Sequence, residues 1–235
     1  MSTFLELCQE LRSELHLPGG GPSAVTNELG ENMIIIRMIR DADLEIKKLW
    51  HDWNFLWAGE AAYSVTTSSG SNALSTTKPT NIGNYDLSSF YLNKTSSTPY
   101  RLTYVDWNKY SHVLKVGSQT SAVPSNFTIA PDKTVRVWPQ ADNTYTLTGE
   151  YWIKPAALTA PTQVSAIPEE HHRIIIVRAK IMYAEGEDAP EIAAGAAAEF
   201  DHLLEKLESD ELPAQRQRRM ARANEGTDTN RVIVQ

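Results

Sequence analysis

The spacing of apolar residues changes twice along this chain, and those two changes constrain its fold more than any other feature. Before about residue 58 they recur every three or four positions, as on one side of a helix. From Ala62 to Lys154 they alternate with polar residues, as in strands with one buried face. After Pro155 the helical spacing returns. A pattern of one period cannot bury its apolar side in the other conformation, so the chain builds helices at both ends and a β module between them.

Ser2 or Thr3 suits the cap of a first helix whose stripe is Phe4, Cys8, Leu11 and Leu15. Cys8 is the only cysteine, which excludes an internal disulfide and leaves no cysteine-based zinc site; on this stripe it reads as a small core residue. The run Leu17-Pro18-Gly19-Gly20-Gly21-Pro22-Ser23 breaks the helix. No Gly-Lys-Ser/Thr follows it, so it is a connector and not a phosphate loop. A second helix is predicted from near Glu28 to Trp53, with Ile35, Ile39, Ala42, Ile46, Leu49 and Trp53 as its buried seam and Arg37, Asp41, Lys48 and Asp52 opposite. Trp50, Trp53 and Trp57 read as anchors at the helix end rather than as a ligand platform.

In the middle region Tyr63 and Val65, Tyr100, Leu102 and Tyr104, Phe127 and Ile129, Val135 and Val137, then Tyr145, Leu147, Tyr151 and Ile153 hold the alternate positions. Turn residues punctuate them and no helical spacing intervenes, which predicts an antiparallel sandwich or small barrel. The Ser/Thr-rich stretch Thr66 to Thr80 reads as a long loop that orders against something else.

Beyond it, Ile167-Pro168-Glu169-Glu170-His171-His172-Arg173 opens a helix, with Pro168 at its first position and both acids in its first turn. Ile174, Val177, Ile181 and Ala184, widened by Ile175, Ala179 and Met182, make this the most buried helix expected. A last helix carries Ile192, Ala196, Phe200, Leu203 and Leu207, with small residues from Ala193 to Ala198 that permit close approach of a neighbouring helix. Pro213 ends it. The expected fold is α+β: a helical bundle formed by N- and C-terminal helices (1–58 and 161–212), an inserted antiparallel β-sandwich or barrel module (59–160), and an extended basic arm (213–235). The two helical ends read as one interleaved architecture, not as separable domains.

Glu169-x-x-His172 and Glu199-x-x-His202 have the spacing of carboxylate-bridged di-iron bundles. Their positions fail the template: Glu169 follows a proline in a first turn, Glu199 and His202 fall beside the seam, and neither early helix puts a glutamate on its own seam. Glu169 through His172 are therefore expected to face solvent or a neighbouring subunit rather than an ion, and Glu199 and His202 to lie on the solvated side of their helix. No nucleophile elbow, His-Glu-x-x-His or dinucleotide fingerprint is present, so neither an enzyme nor a cofactor is expected. No run reaches the roughly 18 apolar residues of a membrane span. The N-terminus lacks a signal peptide pattern, which places the chain in the cytosol or in whatever is assembled there.

The net charge of −7 argues against a general nucleic-acid binder, but it hides an asymmetry. From Pro213 onward, Arg216, Arg218, Arg219, Arg222 and Arg231 face only Glu225 and Asp228, a net +3 that leaves −10 for the preceding residues. The segment Arg231-Val232-Ile233-Val234 is β-prone and suited to adding a strand to another subunit's sheet. These features read as a docking arm.

Several ordered pieces carry a family likeness: Asn84-Tyr85-Asp86-Leu87, Arg101-Leu102-Thr103-Tyr104-Val105-Asp106-Trp107, Val123-Pro124-Ser125-Asn126-Phe127, Val135-Arg136-Val137-Trp138-Pro139-Gln140-Ala141-Asp142, Tyr145-Thr146-Leu147-Thr148-Gly149-Glu150-Tyr151-Trp152 and Ile167-Pro168-Glu169-Glu170-His171. With the Leu11 to Pro22 region and Asp52-Trp53-Asn54-Phe55-Leu56, the chain from Met1 to Leu212 resembles the head-to-tail adaptor (connector) proteins of short-tailed bacteriophages. Ser88 stands where more usual members have a proline, which bears only on the turn there. The resemblance implies a structural virion protein at the head–tail interface, assembled in the host cytoplasm. It implies a ring of twelve copies beneath the portal protein that extends the DNA channel and presents a surface to the tail nozzle and tail-fibre proteins. The helices would pack around the ring, the β module would project outward, and the arm would dock onto the portal. DNA would pass without specific binding, and an acidic wall suits that passage because it does not hold phosphates.

Two other readings stay open at this level. One is a β-module protein that binds carbohydrate or protein through Trp107, Tyr110, Trp138 or Trp152. The other is a di-iron carboxylate enzyme built on the two Glu-x-x-His pairs.

Overall fold

The computed structural model describes residues 2–74, 79–94, 98–116 and 119–213. Its helices are α1 (Phe4–Glu14), α2 (Glu31–Leu49), α3 (Trp107–Lys109), α4 (Arg173–Gly186) and α5 (Pro190–Glu211). Its strands are β1 (Tyr63–Thr66), β2 (Ile82–Tyr85), β3 (Tyr91–Asn93), β4 (Tyr100–Arg101), β5 (Thr103–Tyr104), β6 (Asn126–Ile129), β7 (Val135–Trp138), β8 (Thr146–Gly149) and β9 (Tyr151–Ile153). The fold is α+β, with a β module inserted between helices from both ends of the chain. Two compact units result, one from the residues up to Leu56 together with those from Pro155 onward, the other Trp57–Lys154.

In the helical unit α4 packs against α1, α2 and α5. Ile174, Ile175, Ile176 and Val177 are all buried, so apolar residues occupy most of its circumference and only an interior position accommodates it. Thr3 caps α1 in a reciprocal box, its backbone N–H donating to Glu6 Oε2 at 2.7 Å while its hydroxyl accepts from the Glu6 N–H at 3.3 Å. The next N–H groups, of Phe4 and Leu5, donate to the carbonyls of Gln163 and Pro161 at 2.8 and 3.1 Å. The returning chain thus satisfies donors that the first helix leaves open.

Helix α2 is shorter than its apolar spacing predicts. It starts at Glu31 because Gly30 takes φ +60, which ends right-handed helix in the N-terminal direction. Glu28 instead accepts from the backbone N–H groups of Ser23 and Ala24 at 3.0 and 3.2 Å. It stops at Leu49, since Trp50 is extended and Trp53 folds back to donate its indole N–H to the Ile46 carbonyl at 3.3 Å. Trp53 therefore reaches the core by chain reversal, and Leu49, expected on the seam, is 44% exposed. The glycine connector wraps a side chain of α1: Arg12 donates to the Pro18 carbonyl and, at 2.9 Å, to Asn32 Oδ1. On α5, Ala196 packs with Val177 and Ile181 as the small-residue run suggests. Gly195 faces open space, however, and Ile192 is 48% exposed, so the seam leaves the bundle toward that end.

The β unit holds three small sheets around one core: β1-β8-β3-β4, β2-β9 and β5-β6-β7. All pairs are antiparallel except β5 with β6. The expected alternation appears as burial of Tyr63, Val65, Val135, Val137, Tyr145 and Leu147. Strands β2 and β3 escaped the sequence reading; β3 has three residues and buries only Leu92, too little for a period to show. Helix α3 also departs from the expectation of an uninterrupted β region. Asp106 caps it by accepting from the Asn108 N–H at 2.8 Å, and it widens into a π turn over Tyr110–Leu114. The Thr66 to Thr80 loop, as far as Leu74, orders on its own unit. Thr67 exchanges two 2.9 Å hydrogen bonds with Tyr145, and Asn72 exchanges two with Val137.

Aromatic rings occupy the centre where the sheets meet. Phe90 stacks on Phe127 with centroids 4.3 Å apart and meets Tyr63 edge-on at 5.6 Å. Gly149 on β8 makes room for it, because a Cβ there would lie 2.8 Å from the Phe90 ring. Gly149→Ala must displace that ring, and urea unfolding of the β unit should show a loss of about 1–3 kcal/mol. Phe90→Leu in the same background should recover part of it; an unchanged midpoint for G149A would contradict the packing described.

Candidate functional site

The helical unit holds a buried polar cluster that the sequence reading missed. Asp43 and Lys47, one turn apart on α2, are 0% and 3% exposed and pair at 2.5 Å. Ser165 donates its hydroxyl to Asp43 Oδ1 at 2.5 Å and accepts the Ile167 N–H at 3.1 Å. Lys47 also donates to the Ala156 carbonyl at 2.9 Å. Burial pushes Asp43 above the usual carboxylate range, opposed by Lys47, Ser165 and His172. The cluster ties α2 to the chain returning from the β unit. A signal was available: Asp43 stands between the seam residues Ile39 and Ile46, with Lys47 four positions after it.

The opening of α4 differs from expectation in a related way. Glu169 and Glu170 are exposed, but His171 and His172 are 5% and 4% exposed instead of solvated. Pro168 starts a three-residue 3₁₀ turn rather than the α-helix, and the tighter turn brings both rings inward before α4 begins at Arg173. His172 Nε2 lies 2.9 Å from the Ile167 carbonyl. Glu169 and His172 consequently occupy different environments. In the second Glu-x-x-His pair, Glu199 accepts from Arg173 Nε at 2.9 Å and His202 is exposed. Among the described residues no group of three or more His, Cys, Asp or Glu side chains is placed to hold a metal ion. Cys8 is buried, which pushes its thiol up to about 12.

His171 belongs instead to the C-terminal end of α5. The last turn of α5 carries Glu208, Asp210 and Glu211 and no basic residue, an unfavourable arrangement at the negative end of a helix. Three groups from elsewhere in the unit offset it. Trp50 donates its indole N–H to Glu208 at 2.8 Å, His171 Nε2 lies 3.4 Å from Asp210, and the Phe55 N–H donates to Glu211. Burial raises the Glu211 pKa, with His171 acting against it. Leu207 and Leu212 are buried, so the chain reaches Pro213 from a fixed point. The arm residues Arg216, Arg218, Arg219, Arg222, Arg231, Val232, Ile233 and Val234 lie outside the described residues.

The aromatic residues proposed for a binding face are largely committed to structure. Tyr110 is 3% exposed, Trp107 lies against it with centroids 5.4 Å apart, and Trp138 donates its indole N–H to the Leu114 carbonyl at 3.1 Å. Trp152 bridges to Trp57. No described helix is long and apolar enough to cross a membrane.

Removing one partner of a buried pair strands the other. Lys47→Met should lower stability at pH 7 by about 3–5 kcal/mol in urea unfolding, whereas the apolar pair Asp43→Leu with Lys47→Met should lose much less. Asp43 holds its proton more tightly folded than unfolded, so between its unfolded and its raised folded pKa its contribution to stability falls as pH rises. The K47M loss should therefore shrink on acidification through that window. A loss independent of pH would contradict a charged Asp43 as its cause.

No curated protein matches the chain. The SU10 adaptor protein family matches residues 2–227, which include Arg216, Arg218, Arg219 and Arg222 and stop before Arg231. With the match running over nearly its whole length, the chain belongs to the SU10 adaptor protein family, structural head-to-tail adaptors of bacteriophages.

Proposed function

We propose that the protein forms a ring beneath the portal protein, joins it to the tail nozzle and tail fibres, and extends the DNA channel. The observation that carries this reading is the family match through residue 227, which takes in the basic stretch of the arm together with the body. The role is structural, without catalysis or cofactor. Twelve copies would make the ring, DNA would pass through without specific contacts, and assembly would take place in the host cytoplasm. The parts divide as residues 1–58 and 161–212 for the bundle, 59–160 for the β module and 213–235 for the arm.

The arm docks on the portal. Its arginines suit bidentate pairing with carboxylates at an interface, and Val232, Ile233 and Val234 suit strand addition. The anchored end of α5 supports this role, because an arm rooted at a fixed point searches a smaller volume for its target. Deleting residues 213–235 should leave the circular dichroism and melting temperature of the body unchanged while abolishing its attachment to portal-bearing capsids. Unimpaired attachment sinks the docking role. Electron micrographs of the protein with and without portal should show rings; their absence under both conditions sinks the ring.

A further inference from the structure

The β unit presents an apolar and basic surface that the adaptor reading leaves unused. Val113 and Val116 are 62% and 69% exposed, and Lys109, His112 and Lys115 are exposed around them. The segment is held from behind. Tyr110 roots it in the core, Trp138 donates to the Leu114 carbonyl, and the Gln119 amide donates to the Leu114 and Lys115 carbonyls at 3.3 and 3.0 Å. Aliphatic side chains fixed in water on a braced turn are preorganised to bind.

The cations set the sign of the partner, which is acidic. Nucleic acid fits poorly, since the valines need an apolar seat that phosphates do not supply and Trp107 is tilted against Tyr110 rather than open for stacking. The acidic counterpart is in the chain itself. Residues 57–154 hold eight Lys and Arg against six Asp and Glu, so the remainder carries −9 of the total −7. Helix α5 holds seven acids against one lysine; Asp201 and Glu205, one turn apart, are exposed with the half-buried Leu204 between them, and Glu191 and Ile192 are exposed at the start of the helix. Neither face complements itself, so each needs the other on a second copy, and repeated head to tail that contact closes into a ring.

We propose that the Lys109–Val116 surface of one copy seats on the outer face of α5 of the next copy and forms a subunit contact of the ring. This inference rests on the ring reading above. Both valines lie at the surface, so the full chain carrying Val113→Glu and Val116→Glu should fold normally by circular dichroism. Its rings, counted by mass photometry with and without portal, should need at least tenfold more protein to half-assemble than wild type. Lys109→Glu with Lys115→Glu should do the same, and adding Asp201→Lys with Glu205→Lys to that chain should restore assembly. Rings that form unimpaired from the V113E/V116E chain overturn the contact and leave the ring reading standing. Rings that form normally but fail only in tail addition or DNA retention assign the surface to another partner and also overturn it. A wild-type chain that forms no rings under any of these conditions overturns both.

Discussion

The buried pair of Asp43 and Lys47 is the contact on which the helical unit depends. A chain that leaves its first two helices, builds about a hundred residues of β structure and returns must close a long loop, an entropic loss that contacts at the junction have to offset. Apolar contacts alone are indifferent to sliding by one turn. An ion pair in the interior is not, because its desolvation is offset only where the two charges and their hydrogen bonds are aligned. Ser165 and the Ala156 carbonyl supply those hydrogen bonds from the returning segment, and the inward-turned His172 favours the Asp43 charge. With the register set, the N–H groups of Phe4 and Leu5 find the carbonyls of Gln163 and Pro161, and α4 enters the middle of the bundle.

The same logic of fixed geometry runs to the outgoing end. Helix α5 finishes in acids that oppose its own dipole, and Trp50, Phe55 and His171 make that end tenable only in one place. Under the docking role proposed above, a partner would meet the start of residues 213–235 at a constant position. The β unit achieves rigidity differently, with rings of Tyr63, Phe90 and Phe127 locking three short sheets that would each be marginal alone.

Much of the fold is legible in the sequence. The apolar periods placed all four long helices and most of the strands, because burial of one side is a property that sequence spacing expresses directly. What escaped was decided by neighbours. Leu49 carries the right spacing for the seam and is exposed, since the chain turns at Trp50 and Trp53 takes its place. His171 and His172 follow two acids in a polar run and are nevertheless interior, because a 3₁₀ turn precedes α4. The helix at Trp107 was hidden by its length. Asp43 was overlooked because a carboxylate on an apolar seam reads as an irregularity until its lysine, serine and histidine partners are seen together.

Sequence alone determined the α+β class, the order of helices and β module, the central place of α4 and the family. Each of these follows from local periodicity or from the succession of motifs, which are linear properties of the chain. Only the tertiary structure decided which polar groups are interior, how the acidic end of α5 is held, and how the three sheets share a core. Those properties depend on residues more than a hundred positions apart being brought within hydrogen-bonding distance, as Ser165 is to Asp43, and no spacing rule encodes a separation of that length.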